Sequence, residues 1–354
     1  MNQLVARLRT APVRLAWIGF RSTKLIACAW IAGWLLSVPA HAATITIFDP
    51  PGSVETHPLS INRAGSITGH YKDNNGVYHG FLRAAGGTIT TFDPSGSVGT
   101  LALGINNAGE VAGYYGDSNG LAHGYARAPD GTITTFDPPQ SNFTIAASIN
   151  RAGSIAGEYV IPGLPGYHGF VRLADGTITT FDVSGSSSTQ PFAINRAGSV
   201  AGQYEDSNGV FHGFMRAADG TITTFDVPNA RFTVAQAIND AGSIVGYCHD
   251  PNADINHGFL RAADGTITTF DAPNALATIP WGITARGKIG GFYEDTQGTS
   301  HGMIRRTDGT IKPYDARKSY GTWAYSINAT GSTTGDWIEL VNGDFVWHGY
   351  VRTP

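Results

Sequence analysis

The sequence has 354 residues, and 23 Lys and Arg against 27 Asp and Glu give it a formal net charge of −4 with His neutral. This balance argues against a nucleic-acid or anionic-membrane partner, because such partners select proteins with a basic face. Only two cysteines occur, Cys28 and Cys248, so stability must come from packing rather than from a disulfide framework.

The first 42 residues have the composition of a secretory signal peptide. Basic residues precede an apolar run from Leu25 to Val38, and Ala40-His41-Ala42 offers a small-residue cleavage site. The uncharged run is about 14 residues, whereas a membrane span needs roughly 20, so we expect cleavage after Ala42 and no membrane anchor. Residues 43–354 would then be secreted, to the periplasm or beyond, with 18 basic and 27 acidic residues and a net charge of −9.

A repeat fills the rest of the sequence, and its unit is marked by a His-Gly dipeptide every 44 to 47 residues. An Arg stands four residues after each His, and an aromatic-Asp pair follows 13 and 14 residues after the His in the first six copies. A Thr-x4-Ile-Asn segment precedes each copy, with Thr284 once in place of the Asn. The repeated His residues are His79, His123, His168, His212, His257, His301 and His348.

Each repeat predicts four short strands separated by Gly-rich turns, and no segment has a helical period. We name them a (Thr-x4-Ile), b (Ser-Ile-x-Gly-x-Tyr), c (His-Gly-Phe-x-Arg) and d (Thr-Ile-Thr-Thr-Phe-Asp). Strands c and d should form a hairpin around turns such as Ala218-Asp219-Gly220, which places Gly213 opposite Phe225 and His212 opposite Asp226. Four strands in about 44 residues are typical of a propeller blade.

The two ends of the repeat region complement each other. The sequence stops after a strand c that ends near Arg352, and the region begins with a lone strand d, Thr44 to Asp49. Pairing these strands would remove two exposed sheet edges. We therefore predict an all-β chain in which residues 43–354 form one domain, a seven-bladed β-propeller of four-stranded blades closed by the N-terminal strand joining the last blade.

The repeated His-Gly-Phe with its closing aromatic-Asp resembles the HAF family of extracellular repeats, which is named for a His-Ala-Phe triplet. Gly replaces Ala in every copy here, and Tyr125, Met303 and Tyr350 replace the Phe in three copies. The resemblance covers Ala43 to the C-terminus. It implies secretion and tandem repeats, and it implies no established activity.

The residues common to all repeats suit structural roles, because a ligand that binds one place cannot select a group present in every blade. Each His would donate to the Asp opposite it across the c–d hairpin. Each Arg would lay its stem over the hairpin with its head near the turn Asp. Segments such as Asp73-Asn74-Asn75-Gly76 suit ordinary turns better than calcium loops. No sequence motif indicates a metal or a cofactor.

Function is expected where one repeat departs from the others. The four Trp residues of the repeat region, Trp281, Trp323, Trp337 and Trp347, all fall in the last two repeats, together with Tyr325. The residue after the strand-b Gly also varies between aromatic and polar types: His70, Tyr114, Glu158, Gln203, Tyr247, Phe292 and Asp336. Cys248 lies in another divergent segment, without a recognisable base partner.

We expect His57, His70 and Asp336 to approach one another near the upper inner rim, where the last blade meets the first. Trp281, Trp323 and Tyr325 come from inner strands and would lie close by, whereas Trp347 on strand c should be out of reach. Aromatic faces with a few polar groups predict a ligand-binding site. The alternative is that these large residues only pack between blades.

The function predicted from these features is a secreted binding or interaction module for an extracellular glycan or protein, acting as a monomer. One alternative is an enzyme, a lyase or hydrolase that uses His57, His70 and Asp336 in a central pocket. Another is a structural surface protein without a small ligand. A catalytic pocket requires at least two of those three side chains within hydrogen-bond reach and open to solvent.

Overall fold

The computed structural model describes residues 43–317 and 319–354, so the predicted leader lies outside the described residues. Within the described ranges the chain forms 28 β-strands and no helix, and hence no apolar helix of membrane-spanning length. The β-branched and aromatic residues of the repeat supply these strands, and glycines with positive φ, such as Gly220 at 95°, supply the turns between them.

The 28 strands form seven four-stranded groups, called blades 1 to 7, and the first strand of the described region, β1 (Thr44–Phe48), belongs to blade 7. Blades 1 and 2 contain β2 (Ser53–Ile61), β3 (Ile67–Asp73), β4 (Tyr78–Arg83), β5 (Ile89–Phe92), β6 (Ser97–Ile105), β7 (Val111–Asp117), β8 (Ala122–Arg127) and β9 (Ile133–Phe136). Blades 3 and 4 contain β10 (Phe143–Ile149), β11 (Ile155–Val160), β12 (His168–Arg172), β13 (Ile178–Phe181), β14 (Ser188–Ile194), β15 (Val200–Glu205), β16 (Phe211–Arg216) and β17 (Ile222–Phe225). Blades 5 and 6 contain β18 (Thr233–Ile238), β19 (Ile244–Asp250), β20 (Ile255–Arg261), β21 (Ile267–Phe270), β22 (Ala275–Ile283), β23 (Ile289–Asp295), β24 (Ser300–Arg305) and β25 (Ile311–Tyr314). Blade 7 contains β26 (Gly321–Ile327), β27 (Thr333–Val341), β28 (Asp344–Thr353) and β1.

The register within a blade follows the predicted hairpin. Gly213 pairs with Phe225, and His212 Nδ1 lies 2.9 Å from Asp226 Oδ1. A Cβ added at Gly213 would lie 2.7 Å from the Phe225 ring. This close approach explains why a residue without a Cβ stands at this position.

Strand β1 pairs antiparallel with β28, from Thr44 opposite Thr353 to Phe48 opposite Gly349. The His-Asp contact of blade 7 therefore joins the two ends of the described region, since His348 Nδ1 lies 2.8 Å from Asp49 Oδ2. Strand d of blade 7 is thus supplied by the N-terminal strand, as the sequence predicts.

A belt of side-chain amides links successive blades. Asn62 Nδ2 donates to Asn106 O at 3.1 Å, and Asn328 Nδ2 donates to Asn62 O at 3.0 Å, which joins blade 7 to blade 1. Equivalent bonds run from Asn106 to Asn150, from Asn150 to Asn195, from Asn195 to Asn239 and from Asn239 to Thr284. Thr284 has no amide nitrogen, so its own link to Asn328 is missing from the belt.

Each repeated Arg contacts the neighbouring blade, a role that the sequence analysis missed. The guanidinium carbon of Arg216 lies 4.9 Å from the ring centre of Phe181 in the preceding blade. The same contact recurs in the other blades at 4.6 to 5.0 Å. Among the described residues these Arg heads form no ion pair with a turn Asp. They act as cation–π contacts between blades.

Candidate functional site

The face of the blades that carries the b–c turns is called the upper face. On it, the strand-a residue that follows the repeated Thr pairs with the strand-b residue that follows the repeated Gly. His57 pairs with His70 in blade 1, and Trp323 pairs with Asp336 in blade 7. Both pairs lie where blade 7 meets blade 1, so the fold brings the predicted residues together as expected.

His57 and Asp336 form the closest polar contact of this group. His57 Nδ1 donates to Asp336 Oδ2 at 2.7 Å, and the Tyr325 hydroxyl donates to Asp336 Oδ1 at 3.1 Å. Asp336 is only 1% exposed, whereas the His57 side chain is 19% exposed. Both carboxylate oxygens are therefore engaged, and solvent or a ligand can reach only His57.

Glu55 extends this pair into a charged network. Its Oε2 lies 3.7 Å from His57 Nε2, and its Oε1 accepts from Lys72 Nζ at 2.9 Å. Burial by itself would lower the pKa of His57, but the bonds to Asp336 and Glu55 raise it to about 9. The contact with His57 lowers the pKa of Glu55 to about 2, against the opposing effect of burial and with further help from Lys72. At neutral pH His57 is therefore an imidazolium that lies between two carboxylates.

His70 does not share the proton chemistry of His57. Its ring centre lies 5.2 Å from that of His57, with the planes tilted by 36°. Burial and the neighbouring His57 cation hold the pKa of His70 well below its usual value. Its Nδ1 is buried without a hydrogen-bond partner in the protein. His70 is therefore neutral, and its ring packs against the ring of His57.

Aromatic side chains border the network. Trp323 and Trp347 lie 5.0 Å apart between ring centres, and Trp347 lies 5.6 Å from His57. Trp281 meets Tyr325 edge to face at 5.5 Å. All four aromatic side chains are partly exposed. This group provides flat apolar faces beside a fixed cation.

The expectation that Trp347 lies out of reach is wrong. Trp347 stands two residues before Gly349, which faces blade 1, since a Cβ at Gly349 would lie 2.8 Å from Pro58. Alternate residues of a strand share one face, so Trp347 also faces blade 1, where Glu55 is its strand partner. The spacing to Gly349 was the signal that could have placed Trp347 in the site.

A second group of polar side chains lies at the equivalent strand-a and strand-b positions of blades 3 and 4. It was not among the predicted site residues. Gln203 Nε2 donates to Gln190 Oε1 at 2.8 Å, and Glu158 lies beside them at 7% exposure with Oε2 unpartnered. Burial raises the pKa of Glu158 to about 8, with a smaller opposing effect from Gln190. Glu158 is therefore largely a neutral acid at pH 7. The sequence showed Glu158 and Gln203 only as departures from an aromatic position.

The remaining polar features have structural roles. In the repeated His-Asp pairs the Asp side chain is 33 to 51% exposed, so these pairs are less buried than the sequence argument assumed. In the Asp73 turn, the carboxylate accepts from the backbone N of Asn75 and Val77 at 2.9 and 2.8 Å. Cys248 is 2% exposed, and burial raises the pKa of its thiol to about 12. That thiol is therefore not a nucleophile at neutral pH.

Comparison with known proteins gives the fold class. No family model and no curated protein matches the chain, so the resemblance to the HAF repeats stays a prediction. A streptogramin B lyase is 14% identical with a TM-score of 0.56, over 88% of this chain and 98% of that one. A virginiamycin B lyase from Staphylococcus aureus is 14% identical with a TM-score of 0.55, over 88% and 100%. The β-propeller domain of the Trilobed protease from Pyrococcus furiosus is 10% identical with a TM-score of 0.57, over 80% and 91%. These similarities show the fold alone, and they confirm the predicted class: the chain folds as a β-propeller.

Proposed function

We propose that the protein is an exported β-propeller that binds an extracellular glycan where blades 6, 7 and 1 meet. The observation that supports this proposal is the Trp323–Trp347 pair, 5.0 Å apart and partly exposed, beside the fixed imidazolium of His57. Sugar rings present an apolar face to aromatic side chains, and their hydroxyls accept from charged donors. Trp281 and Tyr325 continue the aromatic surface toward blade 6.

A glycan fits this surface better than a protein partner does. Protein interfaces of ordinary size bury about 800 Å² on each side, whereas the features here are a few aromatic faces around one polar group. Because Glu55 and Asp336 already neutralise His57 and Lys72, the site has no net charge to select a strongly ionic ligand. The proposal therefore favours a neutral saccharide.

The rival proposal is a lyase or hydrolase, and the 2.7 Å bond between His57 and Asp336 is the observation in its favour. This bond meets the distance requirement for a catalytic pair. However, Asp336 is buried, and His57, with its pKa raised to about 9, is already protonated at neutral pH. His57 could donate a proton but could not act as a general base. Binding therefore explains the geometry better than catalysis does.

The test is a glycan array probed with residues 43–354, followed by titration of the best ligand. We expect Trp323→Ala and Trp347→Ala each to weaken binding by more than about tenfold, which corresponds to about 1.4 kcal/mol. Leu164→Ala is the control, because Leu164 is 51% exposed and lies between β11 and β12 of blade 3, outside blades 6, 7 and 1. Unchanged affinity in both Trp variants would place the binding site elsewhere.

The enzyme proposal is tested on the same bound glycans. The ligand is incubated with wild type and with His57→Gln, and its mass is followed. Cleavage products that disappear in the His57→Gln variant would replace the binding proposal by catalysis. Intact ligand in both samples supports a binding module.

A further inference from the structure

A basic crevice lies between blades 6 and 7 at the lower face, which carries the a–b and c–d turns. Its volume is about 100 Å³, and Lys288, Arg306, Lys312 and Arg352 line it. We call the space that these four residues line the basic crevice. Its lining includes no acidic side chain. It is remote from the aromatic site, since the two occupy opposite ends of the same strands.

Three of the four cations are departures of blade 6 from the repeat. The residues at the position of Lys288 in the other blades are Ser66, Glu110, Ser154, Ser199, Ser243 and Ser332. The residues at the position of Arg306 are Ala84, Ala128, Leu173, Ala217, Ala262 and Thr353. The residues at the position of Lys312 are Thr90, Thr134, Thr179, Thr223, Thr268 and Thr46. Three independent changes to Lys or Arg therefore converge on one crevice.

The crevice between blades 3 and 4 provides an internal comparison. It is lined by Ser154, Leu173 and Thr179 at the three positions that are basic in blade 6, and its volume is about 310 Å³. Arg216 occupies the position of Arg352 there. The fold therefore forms this crevice without the extra cations, so packing does not require them.

Within the described part of the chain, none of the four cations forms a close ion pair. No ion pair within 4.0 Å joins any of them to a carboxylate, the terminal carboxylate of Pro354 included, although Pro354 also lines the crevice. The Arg352 guanidinium stacks on the Tyr314 ring at 5.0 Å. Asp308 is the acidic group that interacts with Arg306, and it accepts from the backbone N of Thr310 in its own turn at 2.9 Å. Cations that line one crevice repel one another unless an anion lies between them.

We propose that the basic crevice binds one tetrahedral oxyanion, a sulfate or phosphate group. A crevice of about 100 Å³ has room for one such group. Arg offers a planar fork and Lys a point charge to such oxygens. The group could be a free ion or an ester on a polymer. This proposal does not rest on the glycan site and would survive its failure.

The test measures binding of inorganic sulfate and inorganic phosphate to residues 43–354 by calorimetry, with chloride holding the ionic strength constant. Three variants are compared with wild type. The first carries Lys288→Ser, Arg306→Ala and Lys312→Thr, which restores residues found in other blades. The second carries Ser154→Lys, Leu173→Arg and Thr179→Lys, which transfers the cations to the crevice between blades 3 and 4. The third carries Arg63→Ala, which removes a lower-face cation outside the crevice.

We expect wild type to bind one sulfate or phosphate, and the restored variant to bind it at least about tenfold more weakly, a loss of about 1.4 kcal/mol. The transferred cations should add a second site, and Arg63→Ala should bind as wild type does. Equal binding by wild type and the restored variant would overturn the proposal, as would no binding up to about 20 mM anion. Unchanged circular dichroism spectra would show that the variants are folded.

A second arm separates the sources of the group. Heparin, a sulfated polysaccharide, is compared with polygalacturonate, which carries carboxylates only. Tighter binding of heparin than of inorganic sulfate, lost in the restored variant, indicates an ester on a polymer. Binding of the inorganic ion alone indicates a free anion. Equal binding of heparin and polygalacturonate, unaffected by the restored variant, would show only diffuse attraction and would count against the site.

Discussion

The His57–Asp336 pair predicts a measurable pH dependence of stability. The pKa of His57 is raised from 6.5 to about 9 in the folded protein, and this rise corresponds to a stabilisation of about 3 kcal/mol. Because the folded pKa lies above the unfolded one, this stabilisation is fully present below pH 6.5. It is lost as the pH rises through 9.

His57→Gln removes this contribution while keeping a side chain of similar size. The variant should be less stable than wild type at pH 6, and the difference in unfolding free energy should shrink by up to about 3 kcal/mol between pH 6 and pH 10. Glu55 does not interfere in this window, because its pKa is lowered to about 2 and its contribution is lost only in acid. Groups that do not interact with His57 titrate in wild type and variant alike, so the difference between the two proteins reports on His57 together with its partners Glu55, His70 and Asp336.

Two assays check the magnitude. Urea denaturation followed by both circular dichroism and Trp fluorescence gives the free energies, provided that the two probes report one transition. Nuclear magnetic resonance of the ring nitrogens of His57 gives its pKa directly. A His57 pKa near 6.5, or a constant difference between wild type and variant from pH 6 to pH 10, would refute the ion pair as the source of stability.

Three further predictions concern other parts of the fold. Thr284→Asn should supply the missing hydrogen bond to Asn328 and raise the free energy of unfolding by about 0.5 to 1.5 kcal/mol. The effect is measured as a shift in the urea midpoint. A lower midpoint would show that the fold requires Thr at position 284. Glu158→Gln should be more stable than wild type by up to about 4 kcal/mol at pH 8 but not at pH 4.5, because the pKa of Glu158 is raised to about 8 and wild type loses stability as the pH rises from 4.5 through 8. Parallel pH profiles would contradict this. Removal of residues 43–49 should expose the edge of β28 and lower the unfolding midpoint or cause aggregation, and an unchanged midpoint would argue that β1 contributes nothing.

Much of the candidate site could be predicted from the sequence, because the repeat assigns each residue to a strand and to a position within its blade. Once Thr-x4-Ile and the strand-b Gly are aligned, His70 occupies the position of Asp336 in the adjacent blade, and His57 lies opposite His70 on strand a. Their proximity then follows from the ring. Trp347 was misplaced because it was assigned by its strand rather than by its face, although its spacing to Gly349 determines that face.

The sequence by itself determined the blade, since a period of about 44 residues with four strand patterns specifies local hairpins and their register. Only the tertiary structure decided the contacts between blades that the repeated Arg side chains and the basic crevice make. Arg216 lies on Phe181 of the preceding blade, and the cations of Lys288 and Arg352 line one crevice, although the members of each pair are far apart in sequence. The physical reason is that hydrogen-bonded strand pairing is encoded by alternation along the chain. Contacts between packed blades depend instead on side-chain lengths and directions that appear only in three dimensions.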